Sequence, residues 1–226
     1  MSNPHKTKKS DLPRWGMLID LERCIGCHTC EIACKIENDV PLGIWRSWVK
    51  EIEKGTYPDV IRAFRPTLCN HCENPICVKV CPVGAAWQRE DGIVMLDPHL
   101  CVGCRYCMSA CPYEVRYIHP TKGIIDKCDF CSTRVDAGLQ PSCVEACPSG
   151  ARIFGDLNDS KSELSRLVAT KAASTLKPDI GTGPRVYYIG LDVATLEIKR
   201  EVKPVSYTHL RAHETPEHLV CRLLLE

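Results

Sequence analysis

Sixteen of the chain's seventeen cysteines fall into four groups of four, and this spacing limits the fold before any hydrophobic pattern is considered. The groups are Cys24, Cys27, Cys30, Cys34; Cys69, Cys72, Cys77, Cys81; Cys101, Cys104, Cys107, Cys111; and Cys128, Cys131, Cys143, Cys147. The last three end in Cys-Pro, at Pro82, Pro112 and Pro148. Groups one and three read C-x2-C-x2-C-x3-C. Such short steps set three thiolates around one corner of a loop and turn the intervening amides toward the sulfurs.

That run wraps [4Fe–4S] cubanes in bacterial ferredoxins. A tetrahedral zinc site takes two C-x2-C knuckles rather than a triple. Disulfide-dense scaffolds are generally far shorter than 226 residues. Groups two and four, with Cys72 to Cys77 and Cys131 to Cys143 more widely spaced, return to the same pattern through their x3-Cys-Pro endings. Sixteen thiolates match four [4Fe–4S] clusters with no ligand missing.

The fourth cysteine of each group lies too far along to complete the site of its own triple. In two-cluster ferredoxins it serves the other cluster, so the groups are expected to exchange last members. Spacing alone leaves the partners open. Groups two and three are close in sequence, joined by a segment from Pro82 to Leu100 that suits one hairpin. The working assignment is Cys24, Cys27, Cys30 with Cys147; Cys69, Cys72, Cys77 with Cys111; Cys101, Cys104, Cys107 with Cys81; and Cys128, Cys131, Cys143 with Cys34.

Short apolar runs feed the ligand loops. Gly16 to Asp20, Gly92 to Asp97 and Gly123 to Asp126 precede groups one, three and four and read as buried strands. Return strands are expected at Val115–Ile118 and Ala151–Phe154. The fold class is therefore α+β: two pseudo-symmetric dicluster-ferredoxin-like modules with short β-hairpins and helical turns, plus a small insert. The expected divisions are a polar tail over 1–14, the four-cluster domain over 15–155 with the insert at 35–68, a helix and strand over 156–205, and a tail over 206–226. In the insert, Ile44 to Lys50 is strand-like and a hairpin turn is expected near Lys54-Gly55. A helix is expected over Asp159–Lys171, with Ser160 and Glu163 as a capping box and Leu164, Leu167 and Val168 on its apolar face. Thr175–Pro184 reads as loop and Arg185–Leu191 as strand. Ser206–Glu226 departs in character and resembles translated adapter sequence, and Cys221 within it belongs to no group.

Hydrophobic content of 44% includes the cysteines, and aromatics are only 6%. The apolar core is modest, and the clusters are expected to act as staples. A net charge of +1 gives no electrostatic case for nucleic-acid binding. No segment approaches 18 apolar residues, so no membrane span is expected. No apolar signal region follows Lys6, Lys8 and Lys9, and no Arg-Arg pair occurs. The chain is expected to stay in the cytoplasm or to leave with a signal-bearing partner. His28 and His71, inside ligand loops, are read as supporting or surface groups. Lys35 and Arg105 are either cations close to clusters or solvated side chains. Trp45, Trp48 and Trp87 are read as core or interface.

Four complete ligand sets leave no open iron, and no Gly-rich phosphate loop, G-x-S-x-G or H-E-x-x-H motif is present. The chain holds electrons and has no evident means to transform a substrate. The stretch Cys69-Asn70-His71-Cys72-Glu73-Asn74-Pro75-Ile76-Cys77-Val78-Lys79-Val80-Cys81-Pro82 resembles the second motif of the four-cluster B subunits of complex iron–sulfur molybdoenzymes. Cys101-Val102-Gly103-Cys104-Arg105-Tyr106-Cys107-Met108-Ser109-Ala110-Cys111-Pro112-Tyr113 is similar to their third. The likeness runs from Trp15 through Leu191 and is nearest to polysulfide, thiosulfate and tetrathionate reductases. It implies a relay between a molybdopterin catalytic subunit and an integral membrane quinone-binding anchor, in anaerobic respiration of a sulfur compound. It also implies the one–four and two–three pairing, four cubanes, and a place on the extracytoplasmic face by co-export. The alternatives are a standalone cytoplasmic polyferredoxin-type carrier or an iron–sulfur redox sensor. Stripping iron and sulfide is expected to unfold the chain, read as loss of far-UV circular dichroism and gain of protease sensitivity.

Overall fold

The run Trp15–Asp20 (β1) buries Met17, Leu18 and Ile19 completely. A strand covered on both faces reads as a continuous apolar run rather than an alternating one. The computed structural model, which describes residues 12–191, builds the molecule around this strand. After it come α1 (Thr29–Glu37), β2 (Trp48–Thr56), β3 (Asp59–Thr67), α2 (Ile76–Lys79), β4 (Ala86–Gln88), β5 (Val94–Leu96) and α3 (Tyr106–Ser109). Then follow β6 (Tyr117–Ile118), β7 (Ile125–Asp126), α4 (Ser132–Asp136), α5 (Ser142–Glu145), β8 (Arg152–Asp156), α6 (Glu163–Thr170), β9 (Ser174–Thr175) and β10 (Val186–Ile189). This is an α+β fold.

The largest sheet runs β8-β1-β10-β9. β1 is antiparallel to β8, with Met17 opposite Phe154, and parallel to β10, with Met17 opposite Val186. Its central strand thus precedes group one, while β8 follows group four. The ends of the cysteine-bearing region are joined in one sheet. The inner groups carry their own ribbons: β4 pairs with β5 between groups two and three, and β6 with β7 between three and four. The segment after Pro82 is the single hairpin that its length suggests.

Met17 and Ile19 face the main core with Phe130, Phe154 and Tyr188. Leu18 faces the other way, onto Leu164, Leu167 and Val168 of α6. The apolar stripe of α6 is the one visible in the sequence. Its start is different. Ser162, not Ser160, accepts from the Ser165 backbone N–H at 3.1 Å. The Ser162 hydroxyl also donates to the Asp156 carbonyl at 2.7 Å, which anchors it to the end of β8.

The insert forms a long hairpin, but its turn lies beyond Lys54-Gly55. The pairing of Trp48 with Thr67 runs out to Thr56 opposite Asp59, with Tyr57-Pro58 at the tip. Pairing runs straight through Lys54 and Gly55 because Gly55, at φ +96°, packs a backbone with no side chain against Asp59. Ile44 to Ser47 precede the strand rather than belonging to it. Trp48 packs on the main core. Trp87 is 45% exposed, so the core reading fails for it. Thr175–Pro184 contains the end of β9 and a 3-10 turn at Pro178–Ile180. The 206–226 tail and Cys221 lie outside the described residues. Ser162→Ala is expected to cost about 1 kcal/mol through loss of the α6 cap, read as a lower denaturation midpoint in the iron-loaded protein.

Candidate metal centres

The ligand loops repeat the same backbone shape. In groups one and three, Gly26 and Gly103 have φ of +67°, and the residues after Cys27 and Cys104, His28 and Arg105, take φ of +58° and +67°. A Cβ at Gly26 would meet the Phe64 ring, and one at Gly103 the Gly123 carbonyl. Both glycines are required by conformation and by space. In groups two and four the same position before the second cysteine is left-handed but holds His71 and Phe130 in place of glycine, and in group four Cys131 is left-handed as well. His71 and Phe130 stack on one another with ring centroids 3.8 Å apart.

This stack joins the loops of groups two and four. His71 is fully buried, and its Nδ1 accepts from the Val94 N–H at 3.0 Å. Burial, reinforced by Lys127, Arg185 and Arg116, holds its pKa well below the ordinary range, so the ring is neutral. His28 differs: it is half-exposed and bonds Glu31 and Glu51.

The helical turns bring thiols of different groups together. α1 packs on α5, and α2 on α3. One cavity is lined by Cys69, Cys72 and Cys77 of group two and by Cys111 of group three. Another is lined by Cys128, Cys131 and Cys143 of group four and by Cys34 of group one. Cys24 lies beside Cys30 and beside Cys147 of group four; burial first, then these thiols, raise its pKa. Cys107 neighbours Cys101 and Cys104. Cys81 is surrounded by amides: burial pushes its thiol up, but the N–H groups of Ala86, Val83, Ala85 and Gly84 outweigh this and hold it below the usual range. Cys147 is lowered in the same way, against burial, by the amides of Arg152, Ala151 and Ser149 and the Ser149 hydroxyl.

All sixteen are free thiols. Among the described residues, no three Cys, His, Asp or Glu side chains converge tightly enough to hold a single metal ion. A lone zinc would need sulfurs about 2.3 Å from one point; in two places four cysteines instead line a shared cavity. Burial pushes the Cys34 and Cys72 thiols each up to about 12. At neutral pH they keep their protons until metal replaces them.

The donors around these spaces fit an anionic cluster. Arg152 is 3% exposed and donates from Nη2 to Cys30 Sγ at 3.3 Å and to Ser47 Oγ at 3.0 Å, while its Nη1 has no partner. Arg116, 6% exposed, lies beside Cys77, Cys69 and Cys107, and neither Nη has a hydrogen-bond partner of ordinary geometry. The Nδ2 donor of the fully buried Asn70 is also unpartnered. Buried unpaired donors are costly, and a sulfide cluster supplies the acceptors they lack.

Lys35 and Arg105 were the cations that the sequence suggested near clusters. Lys35 instead ties the loop after α1, donating to the Pro41 carbonyl at 2.6 Å and the Ile44 carbonyl at 2.7 Å, over the Trp45 ring. The buried Arg116, Arg152 and Lys127 were missed. One signal was present: Arg116 and Arg152 each stand five places after a Cys-Pro cysteine, Cys111 and Cys147.

The architecture defines a protein of the dicluster ferredoxin class. Two family models, each described as a 4Fe-4S dicluster domain, match residues 23–85 and 60–157. The B subunit of tetrathionate reductase from Salmonella typhimurium is 47% identical over 85% of this chain and 78% of its own length. The B subunit of polysulfide reductase from Wolinella succinogenes is 42% identical over 78% of this chain and 94% of its own. The arsenate respiratory reductase iron–sulfur subunit of a Shewanella species is 38% identical over 78% and 96%. The protein belongs to this family of reductase iron–sulfur B subunits, and it is an electron-transfer subunit carrying 4Fe-4S clusters.

Cys34→Ser is expected to perturb the same EPR signal as Cys128→Ser and to leave that of Cys24→Ser untouched. A second prediction concerns Arg46, which bonds Asp126 at 2.9 Å and Asp129 at 3.2 Å. Burial raises the Asp126 pKa, but Arg46 and Tyr117 outweigh it and hold it below the usual range. The pair's stabilisation is therefore present above the unfolded carboxylate pKa and fades as pH falls through the folded value. Arg46→Met is expected to cost about 3 kcal/mol and to flatten this acid dependence, measured by denaturing the iron-loaded protein at a series of pH values from neutral to acid.

Proposed function

We propose that the sixteen cysteines hold four [4Fe–4S] clusters in exchanged sets and that the chain relays single electrons between two partner subunits. The sets are Cys24, Cys27, Cys30 with Cys147; Cys69, Cys72, Cys77 with Cys111; Cys101, Cys104, Cys107 with Cys81; and Cys128, Cys131, Cys143 with Cys34. The observation that carries this is the pair of cavities in which three thiols of one group meet the last thiol of another. Cys81 joins the third set by the pseudo-symmetry that relates α2–α3 to α1–α5.

When bound, the clusters supply one-electron redox chemistry; the chain supplies spacing, insulation and electrostatics. Exposure at the two ends and the contact between groups two and four support one order for the relay. Cys27 and Cys104 are exposed, whereas Cys34, Cys128, Cys131 and Cys143 are all buried. The group-one and group-three loops form the two ends. The loops of groups four and two meet in the middle at the Phe130–His71 stack. Electrons enter at one exposed loop and leave at the other.

The partners are a molybdopterin catalytic subunit and a quinone-binding membrane anchor, as the resemblance implies. The names of the tetrathionate and polysulfide reductase relatives favour a sulfur compound as terminal substrate. No helix among the described residues is long and apolar enough to cross a membrane, so membrane attachment is through the anchor. Delivery to the extracytoplasmic face is by co-export with the catalytic subunit. The chain itself is non-catalytic, because each set is complete without an exchangeable ligand.

Iron and sulfide analysis of the fully loaded protein is expected to give about sixteen irons. Far fewer would defeat the four-cluster assignment. Affinity purification from the native host is expected to bring down a large molybdenum-containing polypeptide, and recovery only as a free monomer would point to a standalone carrier.

A further inference from the structure

We propose that Arg152, Lys127 and Arg116 form a series of buried cations, one at each junction between successive cluster sites, that tunes neighbouring clusters in pairs. This rests on the four-cluster reading and adds residues that reading does not use. Arg152 touches Cys30 Sγ of the first set and lies beside Cys143 of the fourth. Arg116 lines the cavity of the second set and lies beside Cys107 of the third. Lys127, 1% exposed, donates to the carbonyl of Cys128 at 2.9 Å and to that of Val94, which lines the second set's cavity. In the order proposed above, every junction holds one buried cation.

Two features separate these groups from ordinary interior cations. First, among the described residues none of the three forms a salt bridge with a carboxylate. Arg46, by contrast, is covered by Asp126 and Asp129, and its charge is spent within the protein. A buried cation without a carboxylate is expensive unless an anion completes it, and the anions available here are thiolates and the clusters they would hold. Second, the arginines are equivalent. Each follows the last cysteine of the second group of its exchanged pair, Cys111 or Cys147, by five residues. The position after Cys81 holds Ala86 and the one after Cys34 holds Asp39. One arginine therefore serves each module, set between its two sites.

The physical effect is symmetric about each junction. A site becomes more negative when it takes up an electron, so a fixed cation favours the reduced form on both sides. It also screens the repulsion that a reduced site exerts on its neighbour. One electron leaves the donor and enters the acceptor; no bond to the cation forms or breaks, and its proton stays in place. A guanidinium suits this role because it keeps its charge at any working pH.

The test is an EPR-monitored redox titration of the full chain in its native complex. Arg152→Gln is expected to lower the potentials of the clusters held by Cys24 and by Cys128 together, at least tenfold in the reduction equilibrium, or ~59 mV for a one-electron couple. The other two are expected to stay within a fraction of that shift. Arg116→Gln is expected to show the reverse pairing, and Lys127→Gln to move the two central clusters. Arg152→Lys and Arg116→Lys, which keep the charge, are expected to recover most of the shift. If Arg152→Gln does not load iron, Arg116→Gln decides, since the Nη atoms of Arg116 face only the thiols of Cys77 and Cys107 and make no hydrogen bond of ordinary geometry to the rest of the fold. Potentials that stay unmoved in a fully loaded variant, or that all move equally, would overturn the proposal. Failure of the four-cluster reading looks different: the unsubstituted protein would itself hold fewer than about sixteen irons.

Discussion

The structure depends on bringing thiols of different groups to the walls of shared cavities. Cys34, within α1, shares a cavity with Cys128, Cys131 and Cys143, and Cys111, just past α3, shares one with Cys69, Cys72 and Cys77. This requires α1 to lie on α5 and α2 on α3. It also requires the strand before group one to pair with the strand after group four, as β1 does with β8. The sheet, the helical turns and the short ribbons are the supports of that arrangement. Few large apolar side chains are available, so the core is a thin layer of Met17, Ile19, Phe130, Phe154 and Tyr188 between thiol-lined spaces.

Much of this was legible because cysteine spacing is a hard geometric constraint. The strands beside the groups were readable as short apolar runs, and the stripe of α6 as Leu164, Leu167 and Val168. The errors came where local chemistry is degenerate. Ser160 and Ser162 both suit a helix cap, and only contact with β8 selects Ser162. A glycine near Lys54 suggested a turn, whereas the pairing carries past it to Tyr57-Pro58. The cations close to the sites were sought inside the ligand loops, at Lys35 and Arg105. Lys35, on α1, is spent on the Pro41 and Ile44 carbonyls and Arg105 is exposed, whereas burial of Arg116 and Arg152 depends on long-range packing. The equivalence of His71 and Phe130 is visible in their place before the second cysteine, but their stacking is not, because it depends on how the two loops come together.

The interior is electrostatically polarised for a load it does not itself provide. Thiols such as Cys34 and Cys72 are held protonated by burial, while neighbouring guanidiniums keep unpaired donors. Each is unfavourable alone. Together they exchange protons for metal and supply positive charge where the bound group is negative. On the proposal above, the stability of the protein and the potential of its sites are set by the same buried side chains.

The nesting of the groups also has a temporal side. Groups two and three, with the ribbon between them, occupy one continuous stretch of chain. Groups one and four enclose that stretch from both sides. A polypeptide emerging from its amino end has every thiol of the inner module in hand by Cys111. The outer module then still lacks Cys128, Cys131, Cys143 and Cys147, and β1 has no β8 to pair with. Under the exchanged sets proposed above, synthesis imposes a sequence on maturation: the inner module has all its ligands before the outer module's final group is made.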